Sequence, residues 1–454
     1  MRLYNSKQTL DLEKKINKEG IDLFMLMLRA GNEIINICKE YKHKKIISVA
    51  GVGNNGGDAL AATLFGLINS LEIICVDYTK TNTNSIKLKS FLKTLNAIIL
   101  KNLPPINRIN RNYLIIDGLL GIGINREPKG KFLKAIKWMN KAREKGAKII
   151  SIDIPSGLNP DSGVAYKNSV NAYSTIMCLT RKKGCYTGDG LKLCGKLHYK
   201  ELGINVDKYK INNNNFLIKL NENINIKRDN LGYKGTFGNV LIVGGWNGMI
   251  GAANLTAAAA LKTGAGKVFL CTNNPKNKIN EVINIDPKQK NFKAIIKKIS
   301  VAIVGPGLGN NAHGLIEYIW HSSLPLVLDA DALKWLSRNF RKKRKHDLIC
   351  TPHYGEAVIL LKKDFEDRFS AISQLKEIYG GDWILKGPGT LVYEEKLYVN
   401  NFANSVLSTA GTGDVLSGII GALLAQKIKE PAKTGVALHS KCAIEILKKK
   451  KKTI

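Results

Sequence analysis

Four short stretches combine acids, glycines and small polar residues in ways that could do chemistry. The most pointed is Ala410-Gly-Thr-Gly-Asp-Val-Leu-Ser-Gly418, which runs straight into the apolar residues 419–425. Small residues make a tight turn, and the apolar periodicity after it predicts a helix that begins there. Asp414 then stands at a helix N-terminus beside the free amides of residues 411–413, where an anion can be held and negative charge is stabilised. A carboxylate beside an anion hole can take the proton of a hydroxyl that is about to attack a phosphoryl group. The same residue could simply cap the helix, and the local sequence leaves both roles open.

The other stretches each follow an apolar run. In Gly51-Val-Gly-Asn-Asn-Gly-Gly-Asp58, Asn55 and Asp58 offer an amide oxygen and a carboxylate from one turn, suited to a phosphate, to a cation or to the turn itself. The match to a dinucleotide fingerprint is weak, because Asn54-Asn55 sits where that turn is usually smaller. Asp117 precedes a glycine turn and Arg126, an arginine able to grip phosphate. Asp153-Ile-Pro-Ser-Gly157 gives a third strand-end acid, then a rigid turn carrying a hydroxyl. Three acids at three strand ends of one sheet are expected to share a crevice. Farther on, Asp329 and Asp331 suit a cation or, as the preferred reading, a helix cap. Lys386-Gly-Pro-Gly-Thr390 is a glycine loop suited to a nucleotide, although no Walker pattern occurs.

These loops need strands and helices to hold them. Apolar runs at residues 45–50, 72–76, 113–117 and 147–153 predict parallel strands, with helices over residues 10–39 and 59–68. Residues 174–202 add one or two strands. The Asn- and Lys-rich residues 205–230 read as a connection between domains. Strands are then expected near residues 239–244, 267–271, 301–304, 325–329, 348–350 and 383–385, an Ala-rich helix over 252–261 and a last helix over 432–450. Strands alternating with helices place the chain in the α/β class.

Composition bounds what these parts serve. A chain of 454 residues exceeds one ordinary core, and 44% hydrophobic residues with 42 glycines fit a turn-rich α/β protein. The net charge of +34 favours phosphorylated ligands. Its lysines are spread along the chain and not interleaved with aromatics, so no nucleic-acid partner is expected. No apolar run is long enough to span a membrane and no secretory leader is evident, so a cytoplasmic protein is expected. The eight cysteines lack metal spacing and read as reduced thiols.

Several long motifs in order carry a resemblance over nearly the whole chain. They include Leu26-Met-Leu-Arg-Ala-Gly31, Gly53-Asn-Asn-Gly-Gly-Asp58, Asp153-Ile-Pro-Ser-Gly157, Lys234-Gly-Thr-Phe-Gly238, Gly305-Pro-Gly-Leu-Gly309, Leu328-Asp-Ala-Asp-Ala332, Thr351-Pro-His353 and Gly411-Thr-Gly-Asp414. The chain resembles the bifunctional NAD(P)H-hydrate repair enzymes, in which an epimerase domain is fused to an ADP-dependent dehydratase domain. The resemblance implies an N-terminal Rossmann-like three-layer epimerase domain over residues 1–215 and a C-terminal ribokinase-like α/β dehydratase domain over residues 225–454. It implies NADHX, NADPHX and ADP as partners, potassium in the first domain, magnesium with ADP in the second, and a homo-oligomer.

Position by position, the resemblance assigns Asn54, Asn55, Gly56, Gly57 and Asp58, with Gly121, Ile122, Gly123, Ile124, Asn125, Arg126 and Glu127, to the phosphates of the hydrate, and Asp153 to its nicotinamide end. Asn55, Asp117 and Ser156 match potassium ligands. Ala252, Gly307 and His353 match residues lining the second substrate site. Lys386, Gly387, Pro388, Gly389 and Thr390 with Gly413 match the ADP site, and Asp414 the residue at the hydrate. Departures from the family pattern are Ala59, Tyr354, Pro388 and residues 402–406, the last two near the nucleotide. A small-molecule kinase would use the same anion hole and base, but would have no need of the first domain.

Overall fold

Runs such as Ile46-Ile47-Ser48-Val49-Ala50 have no polar face, which suits a strand covered on both sides. A computed structural model describes the chain apart from residues 44, 81, 221–225, 227–230, 247, 274–278, 310–311, 403–404 and 452–454. It divides into two compact units, Arg2–Asn215 and Phe216–Ile454 with Met1.

The first unit is built on a sheet of β1 (Lys45–Ala50), β2 (Ile73–Asp77), β3 (Ile99–Leu100), β4 (Tyr113–Gly118), β5 (Lys148–Ile152), β6 (Ser174–Cys178) and β7 (Lys196–Lys200). Their order is β3-β2-β1-β4-β5-β6-β7, and every pair is parallel. Side chains alternate between two cores. Ile46 and Ala50 pack with Leu26, Ile34 and Leu60 on one face, and Ile47 and Val49 with Ala135 and Met139 on the other. Each such isoleucine buried contributes about 1.5–3 kcal/mol of transfer free energy. The chain leaves β1 in one direction and returns for β4 on the other side, so their carboxyl ends diverge and open a crevice.

Two details differ from the sequence reading. The single helix expected over residues 10–39 is two, Ser6–Lys18 and Leu23–Glu40, because Gly20 takes a φ of +88° and Asp22 caps the second. Residues 54–58 are the first turn of the helix Asn54–Ile68, capped by Gly53 at φ +80°, instead of a loop before it. Gly51 makes this turn possible, since a Cβ there would stand 1.7 Å from the Leu119 carbonyl oxygen.

The second unit carries, apart from Asn215 at the start of the first strand, β8 (Asn215–Leu217), β9 (Asn239–Val243), β10 (Lys267–Cys271), β11 (Val282–Ile285), β12 (Val301–Val304), β13 (Leu326–Leu328), β14 (Leu348–Cys350), β15 (Asp382–Leu385), β16 (Thr390–Tyr393) and β17 (Leu397–Asn400). The order is β11-β10-β9-β12-β13-β14-β15-β16-β17-β8. It is parallel from β11 to β15 and antiparallel across β15, β16 and β17. The helices Ile250–Thr263 and Thr412–Ala425 cover one face, and small residues let them approach closely. A Cβ on Gly418 would meet the Thr256 carbonyl oxygen at 2.3 Å. The part of the connecting segment at residues 221–225 and 227–230 lies outside the described residues.

All eight cysteines are free thiols. Among the described residues, no helix is long and apolar enough to cross a membrane.

Candidate active sites

In the first unit a cavity of about 420 Å³ opens at the carboxyl ends of β1, β4, β5 and β6. Glu13, Asn54, Asp58, Gly121 and Asp153 are among the residues around it. Asp153, one residue past β5, holds φ at +64°, a conformation that costs a non-glycine residue about 1–3 kcal/mol. Two hydrogen bonds fix its carboxylate there: Lys182 Nζ donates to Oδ1 at 2.6 Å and the Cys178 amide at 2.9 Å. The Lys182 side chain is 1% exposed and also donates to the Cys178 carbonyl at 2.8 Å.

This buried cation faces more than one acid. Burial, and then the charges of Asp153 and Glu13, push the Asp58 carboxyl well above its ordinary range, with Lys182 opposing. Burial and Asp153 raise Glu13 in the same way. With the Asp58 and Glu13 carboxyls raised beside the Lys182–Asp153 ion pair, the cavity floor offers groups that can give and take a proton.

Asp117 lies beneath the cavity and not along it, with no exposed surface. The expectation that all three strand-end acids share the crevice is therefore corrected: Asp58 and Asp153 open into it, while Asp117 is covered by the turn after β5. Ser151 Oγ and the Ser156 amide donate to Oδ2 at 2.8 and 2.9 Å, and Ser156 Oγ to Oδ1 at 2.6 Å. Burial raises its carboxyl even so. Asn55 Nδ2 donates to the carbonyls of Leu120 and Ile152, both at 3.1 Å, and the Leu120 amide donates to Ser156 Oγ at 2.9 Å. Asn55, Asp117 and Ser156 thus belong to one oxygen-rich knot. Gly56 and Gly57 are buried in the helix turn, and residues 121–124 edge the cavity. Asn125, Arg126 and Glu127 are exposed and stand off it, because the loop turns outward past Ile124.

In the second unit the helix Thr412–Ala425 starts at Gly411, with φ at +87°, and Asp414 lies in its first turn. One of the amides expected to be free, that of Thr412, donates to the Thr409 carbonyl at 3.4 Å. Burial, then the neighbouring Asp329 carboxylate, push the Asp414 carboxyl up to about 6, against the pull of Lys386. Lys386 Nζ donates to Asp329 Oδ1 at 2.9 Å and stands 3.9 Å from Glu356. Ser417 Oγ donates to Asp329 Oδ2 at 2.6 Å. Burial opposes charge on Asp329, but Lys386 and Ser417 hold its carboxyl below the ordinary range.

The preferred reading of Asp329 and Asp331 as caps is corrected. The helix Asp331–Asn339 has no side-chain cap. Asp329 instead pairs with Lys386, and Asp331 accepts the Gly309 amide at 2.8 Å.

A cavity of about 420 Å³ lies between the loop after β15 and the last helix. Lys386, Gly387, Pro388, Thr390 and Gly413 line it, and so do Phe402, Leu416 and His439. Arg368 stiffens the loop by donating to the carbonyls of Leu385 at 2.9 Å, Lys386 and Gly389 at 3.2 Å, and Pro388. Ala252 and Gly307 adjoin one another, since a Cβ on Gly307 would stand 3.2 Å from Ala252 Cβ. His353 caps the helix Tyr354–Leu361 in a reciprocal box with Glu356, whose carboxylate accepts the His353 amide at 2.7 Å. Residues 403–404 of the divergent run at 402–406 lie outside the described residues.

Sequence reading missed Lys182, Glu13, Arg368 and Ser417 as parts of these sites. Lys182 was one of three consecutive cations after an apolar strand, and nothing local tells which of them turns inward.

Comparison with known proteins bears on both units. Residues 240–454 match the family model described as NAD(P)H-hydrate dehydratase, and residues 23–184 that described as YjeF-related protein N-terminus. The chain is 33% identical to the bifunctional NAD(P)H-hydrate repair enzyme Nnr of Coxiella burnetii, over 97% of this chain and 94% of that protein. It is 31% identical to the enzyme of the same name from Dictyoglomus turgidum, over 97% and 93%. Among solved structures, a ribokinase-like superfamily protein from Enterococcus faecalis V583 aligns at 25% identity and a TM-score of 0.46, over 49% of this chain and 84% of that one.

Proposed function

The chain belongs to the family of bifunctional NAD(P)H-hydrate repair enzymes, and we propose that Asp153 and Lys182 work the epimerase site and Asp414 the dehydratase site. The enzyme interconverts the R and S hydrates of NAD(P)H and dehydrates the S form to NAD(P)H at the expense of ADP, releasing AMP and phosphate. The observation that carries the assignment in the second unit is Asp414 at a helix start, its carboxyl held near 6 beside the Lys386–Asp329 pair.

The Asp414 carboxylate accepts the proton of the ring hydroxyl, whose oxygen then attacks the terminal phosphorus of ADP. The bond from that phosphorus to the AMP oxygen breaks and AMP leaves. Phosphate is a far better leaving group than hydroxide. The ring nitrogen's electron pair expels it, and loss of the neighbouring carbon's proton restores the double bond. Lys386 and the first-turn amides at Gly413 stabilise the charge on the transferring group. Magnesium would enter this site together with ADP, beside Lys386 and the start of the Asp414 helix. Its chemistry there is neutralisation of phosphate charge.

In the first unit, Asn54, Asn55, Gly56, Gly57, Asp58 and residues 121–124 suit the hydrate's phosphates, with Asp153 at its ring. Asp117 has hydroxyl and amide donors but no cationic partner among the described residues, although it has no exposed surface. A hard monovalent cation such as potassium, shared by Asp117, Asn55 and Ser156, would supply the missing charge. The same reading has a cytoplasmic homo-oligomer acting on NADHX and NADPHX.

The test is to incubate the full chain with mixed NADH hydrates and ADP, following NADH recovery. Complete recovery from both epimers is expected. Recovery that stops when the S form is spent, or that needs ATP with net phosphorylation of the hydrate, overturns the reading.

A further inference from the structure

The last helix, Pro431–Lys451, is held against the hairpin of β16 and β17 at two levels. At its start, the buried Glu394 accepts the amides of Ala432 at 2.9 Å and Lys433 at 3.4 Å. Two turns later, Asn400 Nδ2 donates to Ser440 Oγ at 2.7 Å, and both residues are almost fully buried. The hairpin continues from the Lys386–Thr390 loop, so loop and helix are set in one register.

That register presents His439 to the cavity beside this loop. Its ring makes no hydrogen bond to another described residue, although the tie at Ser440 is its immediate neighbour. The cavity has two ends of different chemistry. Lys386 and the helix start at Gly413 are cationic or amide-rich, whereas Phe402, Leu407, Leu416 and Val436 form an apolar wall. Burial, and then the charge of Lys386, lower the His439 ring to about 4, so it is neutral at pH 7 and offers one donor and one acceptor. An apolar slot with a single neutral donor–acceptor group suits a planar heteroaromatic ring and does not compete for phosphate.

We propose that His439 is a specificity-determining contact to the nucleoside part of ADP, and that the Asn400–Ser440 and Glu394 ties position it. The proposal rests on the reading of this cavity as the nucleotide site. It adds a residue of the last helix to a site otherwise built from the glycine loop and the Asp414 helix.

The experiment is steady-state dehydration of the S hydrate by the full chain, with ADP varied and GDP and CDP as alternative co-substrates. His439→Leu keeps the volume and removes both polar atoms, and His439→Gln keeps a donor and an acceptor. Loss of one such bond corresponds to roughly a tenfold change. His439→Leu should raise KM for ADP about tenfold, leave kcat within about threefold and shrink the ADP-over-GDP preference, with His439→Gln recovering part of each. Binding of AMP, measured calorimetrically, should weaken in parallel. Ser440→Ala should give a smaller rise in KM.

Unchanged KM and preference in His439→Leu overturn the proposal, as does equal loss in the Gln and Leu variants. Gly413→Val separates this from failure of the underlying reading. Its Cβ would stand 3.3 Å from Lys386 Nζ, so a normal KM for ADP in that variant means the cavity does not hold the nucleotide.

Discussion

Replacing Asp414 with asparagine isolates the proton transfer on which dehydration depends. The two side chains are nearly isosteric, but the amide cannot accept the hydroxyl proton. General-base contributions are about 10²–10⁴-fold, so kcat for ADP-dependent dehydration should fall by that range while epimerisation in the same chain is unchanged. With the carboxyl near 6, about nine-tenths of Asp414 is ionised at pH 7 and about one-tenth at pH 5. The wild-type rate at saturating ADP should therefore drop roughly ninefold over those two pH units. Nucleotide phosphates titrate in the same region, so Asp414→Glu is the control. It should move the break, which titration of the nucleotide alone would not do.

Stability should respond in the opposite direction. Folding raises this acid from 3.8 to about 6, so its contribution is most favourable below its unfolded value and is lost as pH rises through 6. The shift corresponds nominally to about 3 kcal/mol, which solvent screening at this half-open position reduces to roughly 1 kcal/mol. Asp414→Asn should accordingly melt no lower than wild type at pH 7.5, with any advantage gone at pH 4. The measurements are hydrate turnover by NADH absorbance from pH 5 to 8 and thermal melts at both ends. A variant retaining more than about a tenth of the dehydration rate, or a flat wild-type profile, refutes Asp414 as the base.

Removing the Lys182 ammonium leaves the Asp153 carboxylate without its buried partner. Lys182→Met should lose about 3–5 kcal/mol of stability and slow consumption of the R hydrate only. Adding Asp153→Asn should restore the melting temperature but not epimerisation, and equal slowing of both epimers would contradict that division. Epimerisation should rise saturably with potassium and fall when tetramethylammonium replaces it, with Asp117→Asn insensitive to the exchange; full wild-type activity without potassium would remove the cation from Asp117. Arg368→Lys cannot reach all the carbonyls that the guanidinium holds around the glycine loop. It should raise KM for ADP about tenfold with little change in kcat, and an unchanged KM would show that the loop holds its shape without the clamp.

Much of the architecture was legible in the chain because it is local. Apolar runs such as residues 45–50, 113–117 and 147–153 read as buried parallel strands, glycine turns marked their carboxyl ends, and the residues after Gly411 read as a buried helix. The single-helix reading of residues 10–39 failed because it passed over Gly20, whose left-handed conformation ends the first helix, and Asp22, which caps the second. The hairpin of β16 and β17 went unread because its strands flank the charged turn Glu394-Glu395-Lys396 and carry polar residues, Thr390 and Asn400, at their outer ends, so no all-apolar run like those of the shorter β13 and β14 marks them.

Local order along the chain was therefore enough for the α/β class, the two-domain plan, the family and the stretches bearing candidate acids. It sufficed because turn chemistry and hydrophobic period act over a few residues. Which charges meet was decided only by the tertiary structure. Asp329 lies 57 residues from the Lys386 that pairs with it, and Asp153 is 29 residues from Lys182. Such pairings are set by strand order and burial, and burial also determines that Asp117 sinks beneath the cavity while Asp153 opens into it. The chemistry of each acid depends on its desolvation and its partner, and neither exists until the sheet has formed.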